Sequence, residues 1–191
     1  MASAVQRFRD SLRAHRVDAA VVTEIMQGYD RITDGWKKER KAAFFVQAMR
    51  VMDQRLDFRT RGDVRGACAC STGGWRERAV RKIARDYQHS TLERRVEALQ
   101  QVTHMGRPAL NDDGTITASI GSEGGFRCPC PVFGGWKHEA PVSPTYCLCC
   151  AGHFRHHYQI ALGVGLRTTA VLSTALASQG REPCRFVYEV E

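Results

Sequence analysis

The character of the chain changes at Gly106–Pro108, and that break constrains the fold more than any other feature. Before it, apolar residues recur at helical spacing. After it come strand-like runs, Gly- and Pro-rich bends and most of the cysteines. Val5, Phe8 and Leu12 form one apolar stripe, with Ser3 read as its N-cap. A second short helix starts after Asp18, carries Val21, Val22, Ile25 and Met26, and ends near Gly28. Phe45, Met49, Met52 and Leu56 mark a longer amphipathic helix from about Trp36. Residues 62–74, with Gly66, Cys68, Cys70 and Gly73-Gly74, are read as a loop or helix-end turn. Helical spacing returns over 75–87. The run Ser90-Thr91-Leu92-Glu93 fits a capping box ahead of Leu92, Val96 and Leu99.

Beyond the break, Asp113-Gly114 is a turn signal and residues 115–120 are strand-like. Pro129 and Pro131 hold the intervening cysteines extended and forbid a regular central strand there. A helix is expected over 149–162, then strands over 166–176 and 185–190. The predicted class is therefore α+β. An N-terminal helical region, residues 1–107, packs on a C-terminal antiparallel sheet with a long amphipathic helix, residues 108–191.

Charge divides at the same place. Residues 1–107 hold 22 Lys and Arg against 13 Asp and Glu; residues 108–191 hold 6 against 7. The basic surplus permits nucleic-acid binding by the helical half, which is kept as an alternative. Its cations are interleaved with acids, as in Lys37-Lys38-Glu39-Arg40-Lys41, which reads as a solvated helix face rather than a recognition stripe. Nucleic acid is thus not the expected partner. No apolar run reaches the roughly 18–20 residues that span a bilayer, and the arginine-rich N-terminus carries no apolar signal core. A cytoplasmic protein with no membrane partner is expected. In that compartment clustered cysteines serve as ligands or catalysts more often than as disulfides.

The chemistry concentrates in Cys147-Leu148-Cys149-Cys150-Ala151-Gly152-His153, followed by His156 and His157, with Cys128 and Cys130 upstream. On a helix opening at Cys149, residues 149, 153 and 157 share a face. A thiol at a helix N-terminus is biased toward thiolate, the form that binds metal or attacks. The metal-ligand set drawn from this pattern is Cys128, Cys130, Cys147, Cys149, Cys150 and His153. Zinc is the first expectation and an iron–sulfur cluster the second. Cys68 and Cys70 either fold over this site or form a small-residue helix end in the core. Glu123 and Glu139 flank the second cysteine pair as proton carriers, oxygen ligands or plain loop residues. The alternative chemistry is an enzyme with an open metal position or an activated Cys, performing hydrolysis or thiol-dependent transfer.

The tail carries a further pattern: a Gly-led amphipathic helix over 152–162, a Gly163-Val164-Gly165-Leu166 turn into a strand, and Gly180-Arg181-Glu182-Pro183-Cys184-Arg185-Phe186 opening a final strand. It resembles the end of the 4-vinyl-reductase-type small-molecule-binding domain. Taken whole, the chain is similar to a prokaryotic domain-of-unknown-function family with such a tail. The resemblance implies an apolar pocket between helix and sheet, near a zinc held by His, Glu and Cys. Cys184 matches that family's cysteine opening the last strand. The family's other cysteine and its glutamate fall near Ser173 and Ala170, so its zinc site does not carry over intact. The expected function is a cytoplasmic metal-thiolate protein that binds a small, hydrophobic molecule for sensing or carriage.

Overall fold

A computed structural model describes residues 4–33, 35–70, 72–121, 126–134 and 141–191. The expectations on Ser3, Glu123 and Glu139 lie outside these. The fold is α+β. Helices α1 (Ala4–Ala14), α2 (Ala19–Met26), α3 (Lys38–Arg55), α4 (Phe58–Gly66), α5 (Gly74–Asp86) and α6 (Leu92–Gln100) come first. A small sheet and one long helix follow: β1 (Ala109–Leu110), β2 (Ile116–Ile120), α7 (Leu148–Leu162), β3 (Leu166–Ser173) and β4 (Cys184–Val190).

The helix ends follow from local chemistry. The Asp18 carboxylate accepts from the Ala20 N–H at 2.8 Å, Asp57 accepts from the Thr60 N–H at 2.8 Å, and Thr91 caps α6. The Asp57 cap starts a helix that runs on to Gly66, into the stretch 62–74 read as a loop or helix-end turn. That element, α4, is the main departure from the sequence-based expectation. Its weak apolar pattern hid it: Val64 is its only large buried apolar side chain, and Gly62 and Gly66 interrupt it.

The sheet is antiparallel, in the order β1-β2-β4-β3. Ile116 pairs with Tyr188 and Ala118 with Phe186, and these four alternate residues of β2 and β4 are buried. A register shift between Thr168 and Ala170 interrupts the β3–β4 ladder. The third strand ends at Ser173, a little earlier than its apolar run suggested.

The long helix α7 is the centre of the molecule. It packs on β3 on one side and against α4, α5 and α6 on the other. Two tyrosines tie it down. Tyr158 Oη donates to the Met105 carbonyl at 2.7 Å, and Tyr188 Oη donates to the Ala151 carbonyl at 3.0 Å. One hydrophobic cluster runs from Val5 and Phe8 through Met49 and Val64 to Tyr158 and Phe186, so residues on both sides of Gly106–Pro108 share a core.

The helices α4 and α7 touch backbone to backbone. A Cβ added at Gly152 would stand 2.6 Å from Gly66 Cα and 2.8 Å from Gly66 C. No side chain fits in that crossing. It brings the C-terminal end of α4 against the first turns of α7, where the cysteines are.

Candidate functional site

Arg65, in the last turn of α4, is 2% exposed. Arginine is rarely buried without a carboxylate or phosphate. Here no carboxylate of the described residues pairs with it. Its guanidinium carbon lies 4.8 Å from the ring centre of Tyr146, 5.4 Å from Phe8 and 5.5 Å from Phe45. The Nη2 group donates to the Tyr146 carbonyl at 3.0 Å, and Nε has no partner. Three aromatic faces attract the cation, but they do not neutralise it. The groups around it that can become anions are Cys149, Cys68, Tyr146 and Cys130. Burial works against the guanidinium charge, yet these neighbours hold its pKa above the usual arginine value.

The thiols feel the cation in return. Cys149, in the first turn of α7, has a pKa lowered to about 7. The largest cause is a hydrogen bond from the Cys150 thiol; burial opposes it, and Arg65 then adds its attraction. Cys150 is pushed well up by the same hydrogen bond and by burial, so it stays a thiol and a donor. A second pair repeats the pattern. A hydrogen bond from Cys128 draws the Cys130 pKa down and drives that of Cys128 up. Cys130 Sγ also lies 3.1 Å from Tyr146 Oη. Burial raises the tyrosine pKa, so Tyr146 keeps its proton and donates to the sulfur.

The other sulfurs line the core. Burial raises Cys147, Cys68 and Cys184. Cys68 Sγ donates to the Val64 carbonyl at 3.3 Å, and Cys184 Sγ accepts from the Ala175 N–H at 3.3 Å. Cys68 is buried just past the end of α4, where Arg65 and Cys149 act on it electrostatically. Cys70 is exposed. None of the eight cysteines forms a disulfide.

The short 3-10 helix Pro144–Cys147 sets the position of this cluster. Its Ser143 and Thr145 hydroxyls each donate to the Asp53 carboxylate of α3 at 2.6 Å, and Arg61 of α4 pairs with the same carboxylate. Three elements are thereby locked together next to Tyr146.

His153 is drawn elsewhere. Its Nδ1–H donates to the Cys70 carbonyl at 2.7 Å, since a carbonyl only accepts. Burial lowers its pKa, and Arg76 of α5 and His156 lower it further. It stacks edge-on with Phe154 and His157 at 5.0 Å and 4.7 Å between ring centres. The imidazoles therefore face α5, while Cys149 faces α4 and Arg65. The expected metal set is not gathered around one point. Among the described residues no group of three or more His, Cys, Asp or Glu side chains is placed to hold a metal ion. Cys128, Cys130, Cys149 and Cys150 instead stand as two hydrogen-bonded pairs. Cys147 is the buried thiol beside them.

Sequence reasoning missed Arg65, because nothing in Asp63-Val64-Arg65-Gly66 marks that arginine as the buried one among so many. The available signal was the Asp57-Phe58-Arg59-Thr60 cap, which starts a helix and so fixes which face Arg65 presents.

The basic surplus is dispersed. On α5 and α6, Arg81 pairs with Glu77, Lys82 with Asp86 and Arg94 with Glu97, all at helix-neighbour spacing. No helix among the described residues is long and apolar enough to cross a membrane. Compared with protein-family models, curated proteins and solved structures, the chain gives no significant match.

Proposed function

We propose that this protein works through a cysteine thiolate, with Cys149 as the nucleophile of a thiol-dependent transfer or exchange reaction in a reducing, cytoplasmic setting. One observation carries the reading: among the described residues a buried guanidinium has thiols, and no carboxylate, as its counter-charges. A buried cation is costly unless an anion accompanies it. Cys149 acts on Arg65 most strongly and has a pKa lowered to about 7, while Cys130, lowered to about 5, is a second anion near neutral pH. In the proposed step, Cys149 Sγ donates its electron pair to an electrophilic carbon or sulfur of the substrate. The leaving group departs with the displaced pair, and a neighbouring thiol such as Cys150 supplies its proton. Arg65 is a positioning residue that keeps the sulfur charged without contacting the substrate.

Zinc or an iron–sulfur cluster on Cys128, Cys130, Cys147, Cys149 and Cys150 is the second reading. What favours it is that the charges of Cys130, Cys147 and Cys149 act on one another across a small volume. Binding by these sulfurs would require the two thiol pairs to turn toward a common point.

One preparation separates the readings. Protein purified anaerobically is assayed for metal per chain and for the pH dependence of Cys149 alkylation, beside a Cys149→Ser variant. Alkylation with a midpoint near pH 7, in protein without stoichiometric metal, supports the thiolate. Stoichiometric metal lost in the variant would replace it with the metal reading. A Cys149 that titrates like an ordinary thiol, in metal-free folded protein, would remove both.

A further inference from the structure

Among the described residues, one cavity lies between helix and sheet. It is a cleft of about 280 Å³ where α4, α7 and β3 meet, lined by Phe58, Arg59, Gly62, Asp63, Arg155 and Arg167, with Thr168 at its β3 wall. We infer that this cleft binds a small hydroxylated oxyanion, a phosphate or carboxylate of metabolite size, separately from the thiol cluster.

Two independent observations lead there. The first is charge. Three arginines are among the residues lining one small cleft, and planar guanidinium forks suit oxyanions. Arg167 is held in place by Glu189 and Glu191. Arg59 and Arg155 enter no ion pair among the described residues. The Arg155 side chain crosses α4 at Gly66, where a Cβ would meet Nη2 at 3.1 Å, so a glycine makes room for that guanidinium. The second is Gly62. A glycine inside a helix costs roughly 1 kcal/mol relative to alanine. A Cβ at Gly62 would nevertheless meet nothing within 4 Å. No protein atom requires the glycine, and its missing methyl leaves the floor of the cleft open.

Asp63 is the one carboxylate in the lining, and it would repel a bare anion. It suits a ligand that carries a hydroxyl donor beside its anionic group. The volume is at the small end of ligand pockets, which excludes nucleotides and fits a molecule of a few carbons.

Isothermal titration of the full chain at low ionic strength tests this. Glycerol 3-phosphate and glycerate serve as the phosphate and carboxylate probes, and glycerol as the neutral control. Saturable binding of either anion at one site per chain is expected, with none of glycerol. The better of the two anions identifies the source of the charge. Arg155→Gln should weaken binding at least tenfold, and Arg59→Gln should weaken it less. Gly62→Ala should also weaken it while melting no lower than the native protein, so lost binding cannot be lost folding. Cys149→Ser should bind as the native protein does. Failure of both anions to bind at millimolar concentration would overturn the inference. So would native affinity in Gly62→Ala together with native affinity in either arginine variant.

Discussion

Replacing Arg65 by methionine tests the thiolate reading most directly. Methionine fills much of the same space between Phe8, Phe45 and Tyr146. Exchanging a buried charge for an apolar side chain is often near neutral for stability. The electrostatic effect is not neutral. With Arg65, Cys149 titrates at about 7, against 9.0 for an ordinary thiol. Removing the cation leaves the Cys150 hydrogen bond still lowering the pKa, with burial and Cys130 opposing it, so the pKa rises from about 7 toward the ordinary thiol value. At pH 7 a thiol with a pKa of 7 is about half thiolate and one with a pKa of 9 about 1% thiolate, roughly a fifty-fold loss of the reactive form. The more basic sulfur is about eightfold more nucleophilic at a Brønsted slope of 0.4–0.5. The upper limits, reached if the whole shift is lost, are alkylation about sixfold slower at pH 7 and about eightfold faster above pH 10. The rate order of the two proteins inverts between those limits. The assay is iodoacetamide labelling at several pH values, with the peptide bearing Cys149 quantified by mass spectrometry. An unchanged midpoint in folded Arg65→Met protein would refute the claim that Arg65 and Cys149 are counter-ions. A uniform slowing at every pH would show that the substitution had altered access and not charge.

Three further outcomes follow from the geometry. Gly152→Ala forces a methyl into the α4–α7 crossing and should cost about 2 kcal/mol or more, read from the shift in a urea unfolding midpoint. Tyr158→Phe removes the bond to the Met105 carbonyl and leaves a buried acceptor unpaired, an expected loss of about 1–2 kcal/mol by the same measurement. Burial depresses the His153 pKa below its ordinary 6.5, so the fold favours the neutral ring. Its contribution is then fully present above 6.5 and is lost as pH falls through the folded value. Unfolding free energy should decline with acid over that window, and His153→Gln should flatten the decline.

The parts of this fold that were legible in advance are those that bury a regular stripe. Val5, Phe8 and Leu12 fixed α1, the Thr91 cap fixed α6, and the alternation in β2 and β4 fixed the sheet. The thiols stood out because sulfur is scarce and here is crowded. What could not be read depends on neighbours distant in sequence. Cys149 and His153 are one helical turn apart and were expected to share a site. Yet His153 bonds to the Cys70 carbonyl, in the link between α4 and α5, while Cys149 lies beside Arg65 of α4. Arg65 was illegible for a related reason. Its burial follows from Phe8, Phe45 and Tyr146, which lie 57, 20 and 81 positions away in the chain and are brought together only by the packing of α1, α3 and the Pro144–Cys147 turn.

The contact between Gly66 and Gly152 has a mechanical meaning. Two backbones in direct touch leave nothing compressible between them, so the point acts as a fulcrum for α7. Cys149 lies three residues to one side of it and Arg155 three residues to the other, lever arms of about 4.5 Å each along the helix axis. A rocking of α7 about that point carries the sulfur and the guanidinium in opposite directions. Whatever presses on one end of the beam is felt, with its sign reversed, at the other.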